Sequence, residues 1–202
     1  MSHSLASVSP EEDVGSSKPI KIDIGCGPNK KEGFVGIDSH PFQGVDLVFD
    51  VGKDRWPFED NSVEESHCSH MIEHLTNWEG KFERVHFLNE LFRVTVPGGK
   101  CTLIFPHWCS NRFHGDFTHR EPLSEFFFYY LDRLWRSQNA PHTDIKHNPN
   151  GYDCNWNCTW GYTMRQDLAV RNLEYQQFAM ANYKEAILDI IATMTATKEP
   201  LK

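Results

Sequence analysis

The chain has 202 residues, 39% of them hydrophobic and 24% charged, which is enough to bury one substantial core and ordinary for a globular domain. Its formal net charge of −8 speaks against general binding to DNA or RNA, which needs a basic footprint. No apolar run approaches the roughly 20 residues of a membrane span.

Residues 1–19 are polar and acidic and lack the apolar core of a signal peptide, so a flexible tail on a cytoplasmic protein is expected there. Residues 20–202 are expected to fold as a single domain, with no internal repeat. IKIDI (20–24), FVGI (34–37) and VDLVF (45–49) predict three short strands, and a fourth is predicted over 63–69. Thr76 and Glu79 have capping-box spacing, and Phe82, Val85, Leu88 and Phe92 then recur at helical intervals up to the breaker Pro97-Gly98-Gly99. KCTLIF (100–105) predicts a fifth strand. Beyond it come a polar and aromatic loop over 107–121, a helix over 122–135, more loop over 136–151 and a strand over 154–162. A long C-terminal helix is predicted from about Asn172, because Ile187, Ile190, Ile191 and Met194 have the i, i+3, i+4, i+7 spacing of a buried face. The pattern is that of an α/β fold with a mostly parallel central sheet and flanking helices. Ligands in such sheets sit beyond the carboxyl ends of the strands, which gathers Asp23, Asp38, Asp50, His70 and His107 into one candidate site.

The turn after the first strand, IDIGCGPNKKEGFVGID (22–38), holds Gly25 and Gly27, where a bare backbone can approach a ligand. The dinucleotide pattern G-x-G-x-x-G needs glycine where Lys30 stands, and six residues (28–33) leave no room for a full phosphate-facing helix, which disfavours a nicotinamide oxidoreductase. Three carboxylates, Asp23, Asp38 and Asp50, would repel a phosphate. S-adenosylmethionine, cationic and without phosphate, suits them.

DIGCG, GIDSHP, the D-V…WPFEDNSVEE segment, SHMIEHL and LNELFRVTVPGGKCTLIF, in that order over residues 20–106, resemble the motifs of class I SAM-dependent methyltransferases of the small type 11-like group. The resemblance implies a Rossmann-like fold and S-adenosylmethionine as cofactor, with S-adenosylhomocysteine as product. It also implies that Asp23, Gly25, Cys26 and Gly27 line the methionine end, that Asp38 binds ribose, that Asp50 and Val51 hold adenine, and that His70 lies beside the sulfonium. The chain departs from the pattern at Asn29, where many members have a third glycine, and in a first helix shortened to a turn or less.

The remaining chemistry is expected in HWCSNRFHGDFTHRE (107–121), within a variable acceptor-side region of about 107–165. His107, His114, Asp116 and His119 are the candidate acceptor-binding or general-base residues, and Arg112 and Arg120 could hold an anionic acceptor. Gly115 to His119 is similar to a G-D-x-T-H block of other small methyltransferases, a likeness that brings no substrate. His70, Glu73 and His74 share the spacing of one helical face and resemble a metal-binding variant of ubiquinone-pathway O-methyltransferases, which has an acid in place of His70; no metal is expected here. The six cysteines (Cys26, Cys68, Cys101, Cys109, Cys154, Cys158) are expected to be free thiols, and Cys154-x₃-Cys158 lacks the second close pair of a zinc site. Aromatic residues from Trp108 to Tyr130, with Trp156, Trp160 and Tyr162, are expected to be core or to line an apolar acceptor pocket. A small-molecule acceptor is expected. Methylation of a nucleic acid or protein, and a non-catalytic SAM-binding module, are the alternatives; there is no D/N-P-P-Y block and no Pro-Cys dipeptide for base methylation.

Overall fold

The computed structural model describes residues 20–198, so the expected N-terminal tail lies outside the described residues. Seven strands form one sheet: β1 (Ile20–Ile24), β2 (Val35–Asp38), β3 (Leu47–Val48), β4 (Val63–Ser69), β5 (Thr95–Pro106), β6 (Trp156–Met164) and β7 (Ile187–Ala196). Their spatial order is β3-β2-β1-β4-β5-β7-β6. The first five are parallel, and β7 runs antiparallel to both of its neighbours. Ile22, Ile24, Ile37, Cys68, Leu103 and Phe105 are fully buried, as expected of parallel strands covered on both faces.

Helices are few in the first half. The crossover from β4 to β5 carries α1 (Glu83–Val94), which buries Val85, Phe87, Leu88, Leu91 and Val94. Between β1 and β2 there is only a turn. Between β3 and β4 the chain is irregular and Trp56 fills the space: its ring packs near Phe49 and Phe87, and its indole N–H donates to the Val51 carbonyl at 3.0 Å. The Glu90 carboxylate accepts the Trp56 backbone N–H and pairs with Arg93, so the loop is tied to α1 by charge-assisted hydrogen bonds.

Several local expectations change. Thr76 and Glu79 do not cap α1, which starts seven residues after Thr76 at Glu83. The Thr76 hydroxyl is drawn away by the Glu121 carboxylate (2.7 Å), and Glu79 has a left-handed φ of 57°. Pro97-Gly98-Gly99 does stop the helix, but it lies inside β5, whose pairing with β4 slips there from Val63↔Thr95 to Glu65↔Lys100. The apolar run 122–135 is not one helix. A 3₁₀ segment (Glu125–Leu131) breaks at extended Asp132, whose side chain caps α3 (Arg133–Asn139), after a short α2 (Asn111–His114).

The long C-terminal helix is corrected most sharply. After α4 (Gln166–Ala169), α5 (Leu173–Asn182) ends at Asn182, and the isoleucines belong to β7. Alternation decides this: Ile190, Ala192, Met194 and Ala196 are buried, whereas Ile191 and Thr193 are exposed. Ile and Thr at these positions favour a strand, and β5 offers a long partner, paired from Lys100↔Thr195 to Pro106↔Asp189. Among the described residues no helix is long and apolar enough to cross a membrane.

Candidate active site

A cleft of about 750 Å³ opens at the carboxyl ends of β1, β2, β3 and β4. Gly25, Asp38, Asp50, Val51 and His70, five of the eight residues assigned to the cofactor, line it. Gly25 follows β1 directly with φ +67°, and a Cβ there would lie 2.6 Å from Met71 Cγ, so both backbone shape and space demand glycine. The turn is latched to β2 because the Gly25 and Cys26 N–H groups both donate to the Ile37 carbonyl. Asp38 ends β2 and anchors the same turn: its Oδ2 accepts the Gly27 N–H and its Oδ1 the His40 N–H, each at 3.0 Å.

Asp50, just past β3, accepts the Gly52 N–H at 3.0 Å and pairs with Lys53 Nζ at 2.5 Å. His70, immediately after β4, has φ +52° and brings Nδ1 to 3.4 Å from Glu73 Oε1; that carboxylate raises the imidazole's pKa. Met71, His74, Trp78 and Arg120 also face the cleft. Of these, His74 carried a sequence signal as part of the E-H pair after the fourth strand, and Arg120 as a candidate to hold an anionic acceptor; Met71 and Trp78 carried none.

Asp23, Cys26 and Gly27 do not line the cleft. Asp23 is 4% exposed, with one oxygen 2.8 Å from His67 Nδ1 on β4 and the other accepting the Lys31 N–H. It shapes the glycine turn from beneath. The Cys26 thiol points to the Gly27 carbonyl, and burial, with Asp23 and Asp38 nearby, raises its pKa, so it remains a thiol. Cys101 and Cys154, fully buried, are pushed up to about 12. Of the three carboxylates, Asp38 is the one left to face a ligand, since Asp23 is turned away and Asp50 carries its own lysine.

The four loop residues split into two groups. His107 is held in line with the sheet, because its N–H donates to the Leu188 carbonyl of β7. Its ring lies between Glu125 Oε2 (3.2 Å) and Cys109 Sγ (2.9 Å), and burial lowers its pKa. His114 hydrogen-bonds the Trp108 carbonyl through Nε2. Both line a second, separate cleft of about 350 Å³ beside Met180 and Tyr183. Asp116 and His119 go the other way. The 113–121 stretch crosses to the segment after β4, where the Arg120 N–H donates to the Glu73 carbonyl (2.8 Å) and Glu121 pairs with the buried Arg84 guanidinium of α1. The His119 ring meets the His74 ring edge-on at 4.8 Å. The site expected at all five strand ends is thus two sites, and β5 serves the second.

No protein-family model matches the sequence, and no curated protein matches it. Solved structures do. A SAM-dependent methyltransferase of Archaeoglobus fulgidus aligns with 87% of this chain and 85% of its own at 14% identity and a TM-score of 0.57. The geranyl diphosphate C-methyltransferase of Streptomyces coelicolor, solved with Mg²⁺, geranyl diphosphate and S-adenosylhomocysteine, aligns with 91% of this chain and 75% of its own at 12% identity and a TM-score of 0.54. The YcgJ protein of Bacillus subtilis gives 89%, 92%, 13% and 0.51. At such identities the likeness is one of fold: the chain has the Rossmann-like fold of SAM-dependent methyltransferases.

Proposed function

We propose that the protein transfers the methyl group of S-adenosylmethionine to a small-molecule acceptor. The observation that carries this reading is the pairing of Asp38 with the Gly25–Gly27 turn at the mouth of the cleft, on this fold. The carboxylate is already oriented by two backbone N–H groups, and its remaining lone pairs can accept both hydroxyls of a ribose. Gly25 lets backbone replace side chain where the methionine end passes. Val51 and Phe49 offer an apolar wall for adenine. Asp50, neutralised by Lys53, contributes less than its place in the sequence suggests.

The bound cofactor supplies an electrophilic methyl carbon on a sulfonium. The chain's task is alignment and exclusion of water. His70, His74 and Arg120 stand on the β4 side of the cleft, opposite the ribose-holding Asp38, and there they would orient a polar or anionic acceptor. His107 and His114, in the other cleft, have no part in this reading.

Asp38→Ala is expected to weaken S-adenosylhomocysteine binding at least tenfold in titration calorimetry, while the melting temperature without ligand stays within a few degrees of the parent. Thermal stabilisation of the parent by S-adenosylhomocysteine and none by NADH is the matching result. Stabilisation by NADH alone would overturn the reading.

A further inference from the structure

Glu73, in the 3₁₀ turn after β4, is 1% exposed, and neither carboxylate oxygen has a hydrogen-bond partner among the described residues. His70 Nδ1, at 3.4 Å from Oε1, is near it without completing a hydrogen bond; a buried carboxylate so placed is costly, and such groups normally find a hydrogen-bond donor, a cation or a metal. His74 and His119 each bring one nitrogen to it, and the three donor atoms lie within 4.8 Å of one another.

The hydrogen bonds around them fix which nitrogens keep a lone pair. His119 Nδ1 is 2.8 Å from the Phe113 carbonyl, which can only accept, so Nδ1 carries the proton and Nε2 keeps its lone pair. That Nε2 is 3.9 Å from Glu73 Oε1. His74 Nδ1 is 3.1 Å from Thr118 Oγ1, whose own proton is committed to Asp116 Oδ1 at 2.6 Å. Thr118 therefore accepts from His74 Nδ1–H, and His74 Nε2 keeps its lone pair. An imidazole tied down through one nitrogen by a carbonyl or a carboxylate relay, with the other nitrogen free, is the arrangement that orients histidine toward a metal.

We propose that Glu73, His74 and His119 bind a divalent transition-metal ion, with Zn²⁺ as its best probe. Two imidazoles and one carboxylate suit zinc or iron(II) better than magnesium or calcium, which prefer oxygen-only shells. Metal bonds of about 2.0–2.1 Å set tetrahedral ligands roughly 3.4 Å apart, so the donors must close by a little over an ångström. The proposal accounts for the whole G-D-x-T-H block. Gly115 closes α2, where a Cβ would come within 3.0 Å of the Asn111 carbonyl. Asp116 and Thr118 form the relay to His74, and His119 is a ligand. It departs from the sequence expectations of no metal and of a base role for Asp116 or His119.

His74 also lines the large cleft, so an ion held by it would lie beside the space assigned to the acceptor. This consequence, unlike the site itself, rests on the methyl-transfer reading. An acceptor hydroxyl or thiol bound there gives its proton to solvent, its lone pair forms the new bond to the methyl carbon, and the carbon–sulfonium bond breaks to leave neutral S-adenosylhomocysteine. A bound metal makes that proton loss feasible near neutral pH.

The full chain, stripped with chelator and dialysed, is titrated with Zn²⁺ by calorimetry and with Co²⁺ by its visible d–d absorption. One equivalent is expected, with tetrahedral or five-coordinate cobalt bands. His119→Ala and Glu73→Gln should each weaken binding at least a hundredfold. Thr118→Val, which breaks only the relay, should weaken it by about ten- to a hundredfold. S-adenosylhomocysteine binding is measured on every variant and should be unchanged, which shows that each variant is folded. No stoichiometric binding of either metal by the parent, or full binding by His119→Ala, overturns the site. Loss of S-adenosylhomocysteine binding by the parent would instead overturn the methyl-transfer reading and leave the metal result standing.

Discussion

The two clefts are built in opposite ways. In the large one the important side chains leave short strands within two residues of their ends and are fixed by backbone N–H groups close by in sequence: Asp38 by Gly27 and His40, Asp50 by Gly52. In the smaller one His107 is fixed by Leu188, Glu125 and Cys109, and nearby Arg112 pairs with Asp189 of β7. The 130–154 stretch, which lines neither cleft, is held by a buried arginine. Arg136, fully buried, donates to the carbonyls of Tyr130 and Cys154 and pairs with Asp144. One cleft is organised by local turns, the other by long-range polar contacts.

Long-range polar contacts of this kind predict large losses when one partner is removed. Arg136→Ala leaves Asp144 buried without its cation and three carbonyls short of a donor, so it is expected to cost about 3–5 kcal/mol, read as a lower urea midpoint. Retained stability would show that the 130–154 stretch is held by its aromatic packing instead. Gly25→Ala acts on the large cleft. With φ +67° and Met71 in the way, it is expected to cost about 1–3 kcal/mol and to reduce S-adenosylhomocysteine affinity as well. Asp50→Ala should weaken that affinity less than Asp38→Ala does, because Lys53 already occupies the Asp50 carboxylate; equal losses would mean that Lys53 swings away on binding.

The smallest effect is a pH slope. Burial lowers the His107 pKa, so below the ordinary histidine value of about 6.5 the unfolded chain binds this proton more readily than the folded one. Stability is therefore lost as pH falls from 6.5 toward the lowered folded value, and there is no contribution above that window. Urea midpoints at pH 7 and pH 5 should draw apart less in His107→Gln than in the parent. His107→Gln should leave S-adenosylhomocysteine binding intact, since the residue lies outside the large cleft.

The sequence was readable where a feature depends on neighbours in the chain. β1, β2, β4 and the core of β5 follow from short β-rich runs, and Gly25, Asp38, Asp50 and His70 follow from their place one step past, or at, a strand end. Asp23, expected at the methionine end, does not line the cleft, because its register partner on β4 is His67, a contact 44 residues away. The C-terminal isoleucines fit both a helical and an alternating pattern, and only the unfilled edge of β5 selects the strand.

The sequence by itself determined the α/β architecture and the four residues that end or follow the strands around the large cleft, because turn shape and strand termini are local properties. Only the tertiary structure decided that His107 and His119, twelve residues apart in one loop, serve different clefts. β7 holds the first through Leu188, and the Glu73 turn receives the second through Arg120. Both are contacts between segments far apart in the chain, which no local pattern encodes.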